Sequence, residues 1–332
     1  MGLVSDVERE LAGLWRDESS EEGAVVRACA HNLVVVADGG AEEVAAIVAR
    51  VSESAPGRAL VVAPTGADGG LRPYVSAHCH LGPGGKQVCS EQVTLEAGRD
   101  GLQLVPGSIL QLLVEDMPVY TWWRRNGLED DGLLAPLRDL SDCLIVDGAR
   151  FDRPAEDLER LRSIAAKPGW KGHVADLAWE RLDPWRDAIA SFFDIPRMRR
   201  YIGAIERVTI AAGGPVVGAY VAGWLASRLD WTLGDDGVTV VFERDSDLAA
   251  GEVASVLLEA VLDGLPVTFA VRRVEAGSAF VVSTVEMRDT CPLPRRIELP
   301  VRDEAALLCG ALQEPSRDPL FDEALEAAAR MP

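Results

Sequence analysis

Apolar and polar positions follow two rhythms along this chain, and the change between them predicts two domains of different class. Residues 32–37 form a continuous apolar, β-branched run, the pattern of a strand covered on both faces of a parallel sheet. Residues 41–54 then place Val44, Ile47, Val48 and Val51 on one helical face, and residues 59–63 form a second buried run. Strand, helix, strand in that order predicts a mostly parallel, Rossmann-like sheet. Before it, residues 8–15 carry Leu11, Leu14 and Trp15 at helical spacing. After it, residues 75–80 and 88–95 predict a strand pair around a hairpin turn at Gly82-Pro83-Gly84-Gly85. Helices are expected at 106–114, 154–166 and 179–193, the last with Trp185, Ile189 and Phe192 on one side, and strands at 119–123 and 144–147.

Beyond residue 195 the rhythm shortens. A strand ending near Ala212 and a helix over 215–228 are followed by short runs at 238–242, 254–261, 267–274 and 279–286, separated by Asp-Gly and Ala-Gly turns and expected to pair antiparallel. Helices at 303–313 and 320–329 close the sequence. The expectation is an α/β domain over residues 1–195 and an α+β domain with an antiparallel sheet over 196–332. Residues 208–227 hold twenty positions without a charge, the length of a membrane span, but Gly213-Gly214-Pro215 divides them into a strand and a buried helix.

Composition narrows the function classes. At 332 residues the chain can bury two cores, and 48% hydrophobic residues exclude the signature of disorder. A net charge of -20 repels phosphate backbones and anionic lipid, so neither nucleic acid nor membrane is an expected partner. The first fifteen residues lack the basic and apolar regions of a secretory signal, which predicts a cytoplasmic protein. Six cysteines without a C-x-x-C pair predict reduced, mostly buried thiols.

No catalytic or cofactor constellation stands out. His78, His80 and Cys89 could converge on a metal from paired strands, but a fourth ligand is missing, and no metal is expected. Gly84-Gly85-Lys86 lacks the spacing and the Ser/Thr of a phosphate loop, and Asp38-Gly39-Gly40-Ala41 is no dinucleotide fingerprint, so no cofactor is expected either. Pro196-Arg197-Met198-Arg199-Arg200 is a basic island in an acidic chain, and Gly213-Gly214 could offer backbone N–H groups to an anion at a helix start. Trp122-Trp123-Arg124-Arg125 ends a strand, where neighbouring side chains face opposite ways. The pair is either buried in a doubly covered sheet or part of an Arg-flanked interface.

Several stretches together resemble the OpcA family, the glucose-6-phosphate dehydrogenase assembly proteins of actinobacteria and cyanobacteria. They are Asn32-Leu33-Val34-Val35-Val36, Cys89-Ser90-Glu91-Gln92-Val93-Thr94-Leu95, and Met117-Pro118-Val119-Tyr120-Thr121-Trp122-Trp123-Arg124. Asp176-Leu177-Ala178-Trp179 with Arg181-Leu182 and Pro184-Trp185-Arg186, and the closing Asp318-Pro319-Leu320-Phe321, complete the set in order. The resemblance implies a non-catalytic factor that binds glucose-6-phosphate dehydrogenase and favours its active oligomer, supporting NADPH production in the oxidative pentose phosphate pathway. It transfers no contact residues. Trp122, Trp123, Arg124, Trp179, Trp185, Arg186, Arg197, Arg199 and Arg200 are the candidates for the partner surface or its scaffold. The rival expectation is an α/β enzyme or sensor for a sugar phosphate or nucleotide, bound near the ends of the parallel strands.

Overall fold

A computed structural model describes residues 2–18, 25–81, 87–129, 131–231, 237–288, 293–314 and 316–331. The chain forms two compact units, each assembled from three separate segments. The first comprises Met1–Val146, Lys167–Ala175 and Asp303–Arg317; the second comprises Asp147–Ala166, Asp176–Arg302 and Asp318–Pro332. Residue 195 falls inside the second unit.

In the first unit, α1 (Leu3–Glu18) and β1 (Val25–Arg27) precede β2 (Asn32–Ala37), α2 (Ala41–Ser54) and β3 (Arg58–Pro64). They are followed by β4 (Leu71–Leu81), β5 (Gln87–Ala97), α3 (Val105–Leu112), β6 (Val119–Arg124), α4 (Leu134–Leu140), β7 (Cys143–Val146) and β8 (His173–Asp176). The sheet runs β1-β5-β3-β2-β6-β7-β8, with β4 added antiparallel to β5. The β2–β3, β2–β6, β3–β5 and β6–β7 pairs are all parallel. This is the mostly parallel, Rossmann-like sheet that the apolar runs predict. All six residues of β2 and all six of β6 are buried, because helices cover both faces of a parallel sheet. Two of the buried polar side chains there tie strands to their surroundings, whereas Ser90 Oγ and Trp122 Nε1 have no hydrogen-bond partner among the described residues. Asn32 accepts from Val114 N (2.8 Å) and donates to Val114 O (3.0 Å), and Arg58 donates to Glu91 at 2.8 Å.

The β4–β5 register sets Cys79 opposite Cys89, and the two form a disulfide with Cα atoms 4.1 Å apart. This corrects the expectation of reduced thiols: no C-x-x-C spacing is needed when a hairpin brings two cysteines face to face. The pair also removes the metal reading, since Cys89 projects with Cys79 to the opposite face from His78 and His80. Among the described residues, no group of three or more His, Cys, Asp or Glu side chains could hold a metal. The hairpin turn expected at 82–85 lies outside the described residues.

The second unit contains α5 (Pro154–Ala165), α6 (Leu177–Glu180), α7 (Asp183–Ala190), β9 (Ile205–Ala212) and α8 (Pro215–Leu229). Next come β10 (Thr239–Arg244), β11 (Val253–Leu262), β12 (Leu265–Arg273), β13 (Phe280–Met287) and β14 (Arg295–Glu298). Of the last two helices, α9 (Glu304–Gln313) returns to the first unit and α10 (Pro319–Ala328) completes the second. The sheet order is β10-β9-β11-β12-β13-β14. It is antiparallel except that β10 lies parallel to β9. That exception corrects the expectation for 238–242: β10 follows a helix rather than a turn, and a helical crossover delivers a parallel neighbour. Ten residues of α8 are buried, and no helix of the described residues is long and apolar enough to cross a membrane. The helix expected over 179–193 is broken into α6, α7 and a 3-10 turn, Ser191–Asp194, with Pro184 in the first turn of α7.

Candidate functional site

The candidate residues divide into a buried set and an exposed set. In the first unit β6 lies inside the sheet, between β2 and β7, and is buried on both faces, so both tryptophans are core, Trp122 at 0% and Trp123 at 1% exposure. Trp123 Nε1 donates to Gly127 O at 2.9 Å. Arg124 is buried with them and spends its guanidinium on Glu304 (2.9 and 3.0 Å) and Glu43 (2.5 Å). These charge-assisted bonds bind β6 to the N-terminal ends of α2 and α9.

In the second unit Asp176 caps α6 and organises the interior. Its carboxylate accepts from Gly148 N (2.9 Å), Ala178 N (2.7 Å) and the Tyr220 hydroxyl (2.6 Å). Burial, reinforced by the neighbouring charge of Asp147, pushes this carboxyl up to about 6. Gly148 has to be glycine, because a Cβ there would stand 2.7 Å from Asp176 Oδ2. Asp147 in turn holds Arg181 bidentately at 2.6 and 2.8 Å. Trp179, 1% exposed, meets Tyr220 edge-on (6.1 Å) and Phe321 (5.8 Å), and its Nε1 donates to Asp318 at 2.8 Å. Arg186 stacks 3.6 Å over the same indole and donates to Trp179 O and Asp183. Trp185 is core as well, with Arg273 centred 5.7 Å from its ring. Asp176 and Tyr220 form a titratable pair, but both are sealed from solvent, so their geometry serves the fold.

The exposed set is the basic island. Arg197, Arg199 and Arg200 all face solvent, beside Ile195 at 43% exposure. Arg199 Nε is fixed by Phe193 O (2.8 Å), and Arg200 lies over Tyr201 and reaches Asp263 at 3.3 Å. Beneath them Phe192, Phe193 and Tyr201 gather around Phe269 with ring centroids 5.3, 5.1 and 5.9 Å away, a rigid aromatic base. The Gly213-Gly214 pair packs closely against the main chain of residues 249–252. Gly213 N donates to Glu252 O at 2.9 Å, and a Cβ on either glycine would strike the backbone of Ala249 or Ala250.

Sequence spacing could not bring Asp147, Asp176, Arg181 and Tyr220 together, because they meet only through the fold. The one legible signal is an aspartate at the end of each of two short strands, β7 and β8.

The geometry defines a protein of one α/β unit and one α+β unit without an assembled metal centre among the described residues, and comparison places it further. Residues 48–163 match the glucose-6-phosphate dehydrogenase subunit N-terminal domain, and residues 172–325 match the corresponding C-terminal domain. The chain belongs to this OpcA family of glucose-6-phosphate dehydrogenase assembly proteins. It is 33% identical over 187 residues to a protein of Synechocystis sp. that carries the provisional name OxPP cycle protein OpcA, covering 55% of this chain and 39% of that one. A Nostoc punctiforme protein with the same name is 34% identical over 183 residues, 53% of this chain and 38% of that one. The chain thus spans about four-tenths of the length of the curated relatives it matches. Among solved structures, a 3-ketoreductase from Actinomadura kijaniata is similar at 13% identity and a TM-score of 0.43, over 90% of this chain and 94% of that one, and at that level the likeness carries no argument.

Proposed function

We propose that the chain is a non-catalytic, cytoplasmic partner of glucose-6-phosphate dehydrogenase that favours the enzyme's active oligomer and so supports NADPH production in the oxidative pentose phosphate pathway. The observation that carries this reading is the match of two successive segments, in order, to the two domains of a dehydrogenase subunit family. Preferential binding to one assembly state shifts the enzyme toward that state by mass action, which needs no chemistry on the partner itself.

The contact surface includes Arg197, Arg199 and Arg200 around the exposed Ile195, presented on the aromatic base below them. Arginine beside an apolar anchor is a side-chain pairing enriched at interface hot spots. Trp122, Trp123, Arg124, Trp179, Trp185 and Arg186, being buried or nearly so, act as scaffold. The test is a titration of the same organism's dehydrogenase with this protein, with activity and oligomer mass followed together. Saturable activation with a rise in mass is the expected result; unchanged rate, KM and mass would end the proposal.

A further inference from the structure

The second unit holds a cavity of about 330 Å³ whose wall gathers four arginines, Arg150, Arg181, Arg273 and Arg302, against one carboxylate, Glu252. Most arginines of this chain face a carboxylate, as its net charge of -20 makes easy. Two of these four do as well: Arg181 is held by Asp147 at 2.6 and 2.8 Å, and Arg302 by Asp183 at 3.2 Å together with the Glu180 carbonyl. The other two differ. Arg273 is oriented by main-chain carbonyls alone, Val253 O at 3.0 Å and Ser278 O at 2.5 Å, with the Trp185 ring 5.7 Å away. Arg150 keeps a buried Nε with no hydrogen-bond partner among the described residues. Glu252 is itself engaged by Ala249 N at 3.2 Å. Both side chains are half-buried, and a partly desolvated guanidinium held by carbonyls alone, or left with a buried unpaired N–H, is costly unless an anion completes it.

The wall is also preorganised. A Cβ on Gly251 would stand 3.2 Å from Arg181 Cδ, and the Gly213 and Gly214 backbones lock the same loop at Ala249 and Ala250. Around the arginines the lining is apolar, including Leu182, Pro184 and Val301. The volume is at the small end of ligand sites.

We propose that this cavity binds a small phosphomonoester: the dianion between Arg150 and Arg273, and a compact organic group against the apolar wall. Planar guanidinium forks suit tetrahedral phosphate oxygens bidentately, and two uncompensated positive charges match the two negative charges of a phosphomonoester. The Trp185 face is taken by Arg273, so no aromatic surface is left for a base to stack on, which favours a phosphorylated sugar over a nucleotide. The site lies apart from the exposed basic island and does not depend on the partner reading above.

The test is calorimetric titration of the full chain alone with glucose 6-phosphate, inorganic phosphate, free glucose and malonate. Saturable binding of glucose 6-phosphate, weaker binding of inorganic phosphate and none of free glucose is expected. Arg150→Gln, whose Nε bonds nothing in the fold, should weaken binding at least tenfold while leaving the melting temperature of the free protein unchanged. Arg273→Gln should weaken it as well, but at some cost in stability, because two backbone contacts go with it. The proposal is overturned if no phosphate binds saturably, if malonate binds as tightly as glucose 6-phosphate, or if a folded Arg150→Gln variant binds as the parent does. No dehydrogenase is present, so each of these failures leaves the assembly reading standing.

Discussion

At the scale of single residues, two buried titratable groups give the protein opposing responses to acid. Asp176, raised to about 6 by burial and by Asp147, is disfavoured as an anion, so its contribution to stability is fully present below about 3.8 and is lost as pH rises through 6. His31 is lowered to about 4 by burial, so its contribution is present above about 6.5 and is lost as pH falls through 4. The two partly cancel between pH 7 and pH 4, and single variants separate them. Asp176→Asn keeps an acceptor for Gly148 and Ala178 and an amide for Tyr220; its stability should lack the gain on acidification, on the order of 3 kcal/mol, that the parent draws from this group. Urea unfolding at stepped pH reads the difference. Asp176→Ala orphans three donors at once and should cost about 3 kcal/mol or more at any pH in that range.

At the scale of elements, the close approach of α8 and α10 predicts a sign. Gly223 sits inside α8, where Gly→Ala ordinarily gains about 1 kcal/mol of helix propensity. Here a Cβ would stand 2.4 Å from Ala324 O, so Gly223→Ala should instead destabilise by about 2 kcal/mol, read by chemical denaturation. The Cys79–Cys89 bridge closes a short hairpin, and reduction should lower stability by roughly 3 kcal/mol on a loop-entropy argument. Unfolding curves with and without reductant check that. Elements also show what was legible in the sequence. β2 and α2 begin and end where the apolar runs place them, since local pattern and burial agree there. The disulfide and the parallel β10 were not legible, because each depends on which strand becomes whose neighbour, and periodicity carries no record of pairing.

At the scale of the whole molecule, the basic island is where the assembly reading is most exposed to test. Reversing it with Arg197→Glu, Arg199→Glu and Arg200→Glu should leave thermal unfolding within a few degrees of the parent, since all three side chains are exposed, yet weaken binding to the dehydrogenase at least tenfold. Sedimentation of the mixed proteins reads that loss. The sequence marked this island by composition alone and marked the tryptophans by residue type. The structure separates the two, because a strand covered on both faces buries adjacent residues that a one-sided sheet would split between core and solvent. The arginine cavity left no trace in the sequence, since its walls come from five separate stretches.

The interleaved segments also order events in time. Asp303–Arg317 supplies the helix whose Glu304 meets Arg124 and whose capping Asp303 meets Arg50, so the first unit is finished only by residues translated after the whole of 176–302. Until they leave the ribosome, the face of α2 that α9 covers stays open to water and to chaperones. A stalled or shortened nascent chain would therefore present an incomplete first unit, however native its early strands.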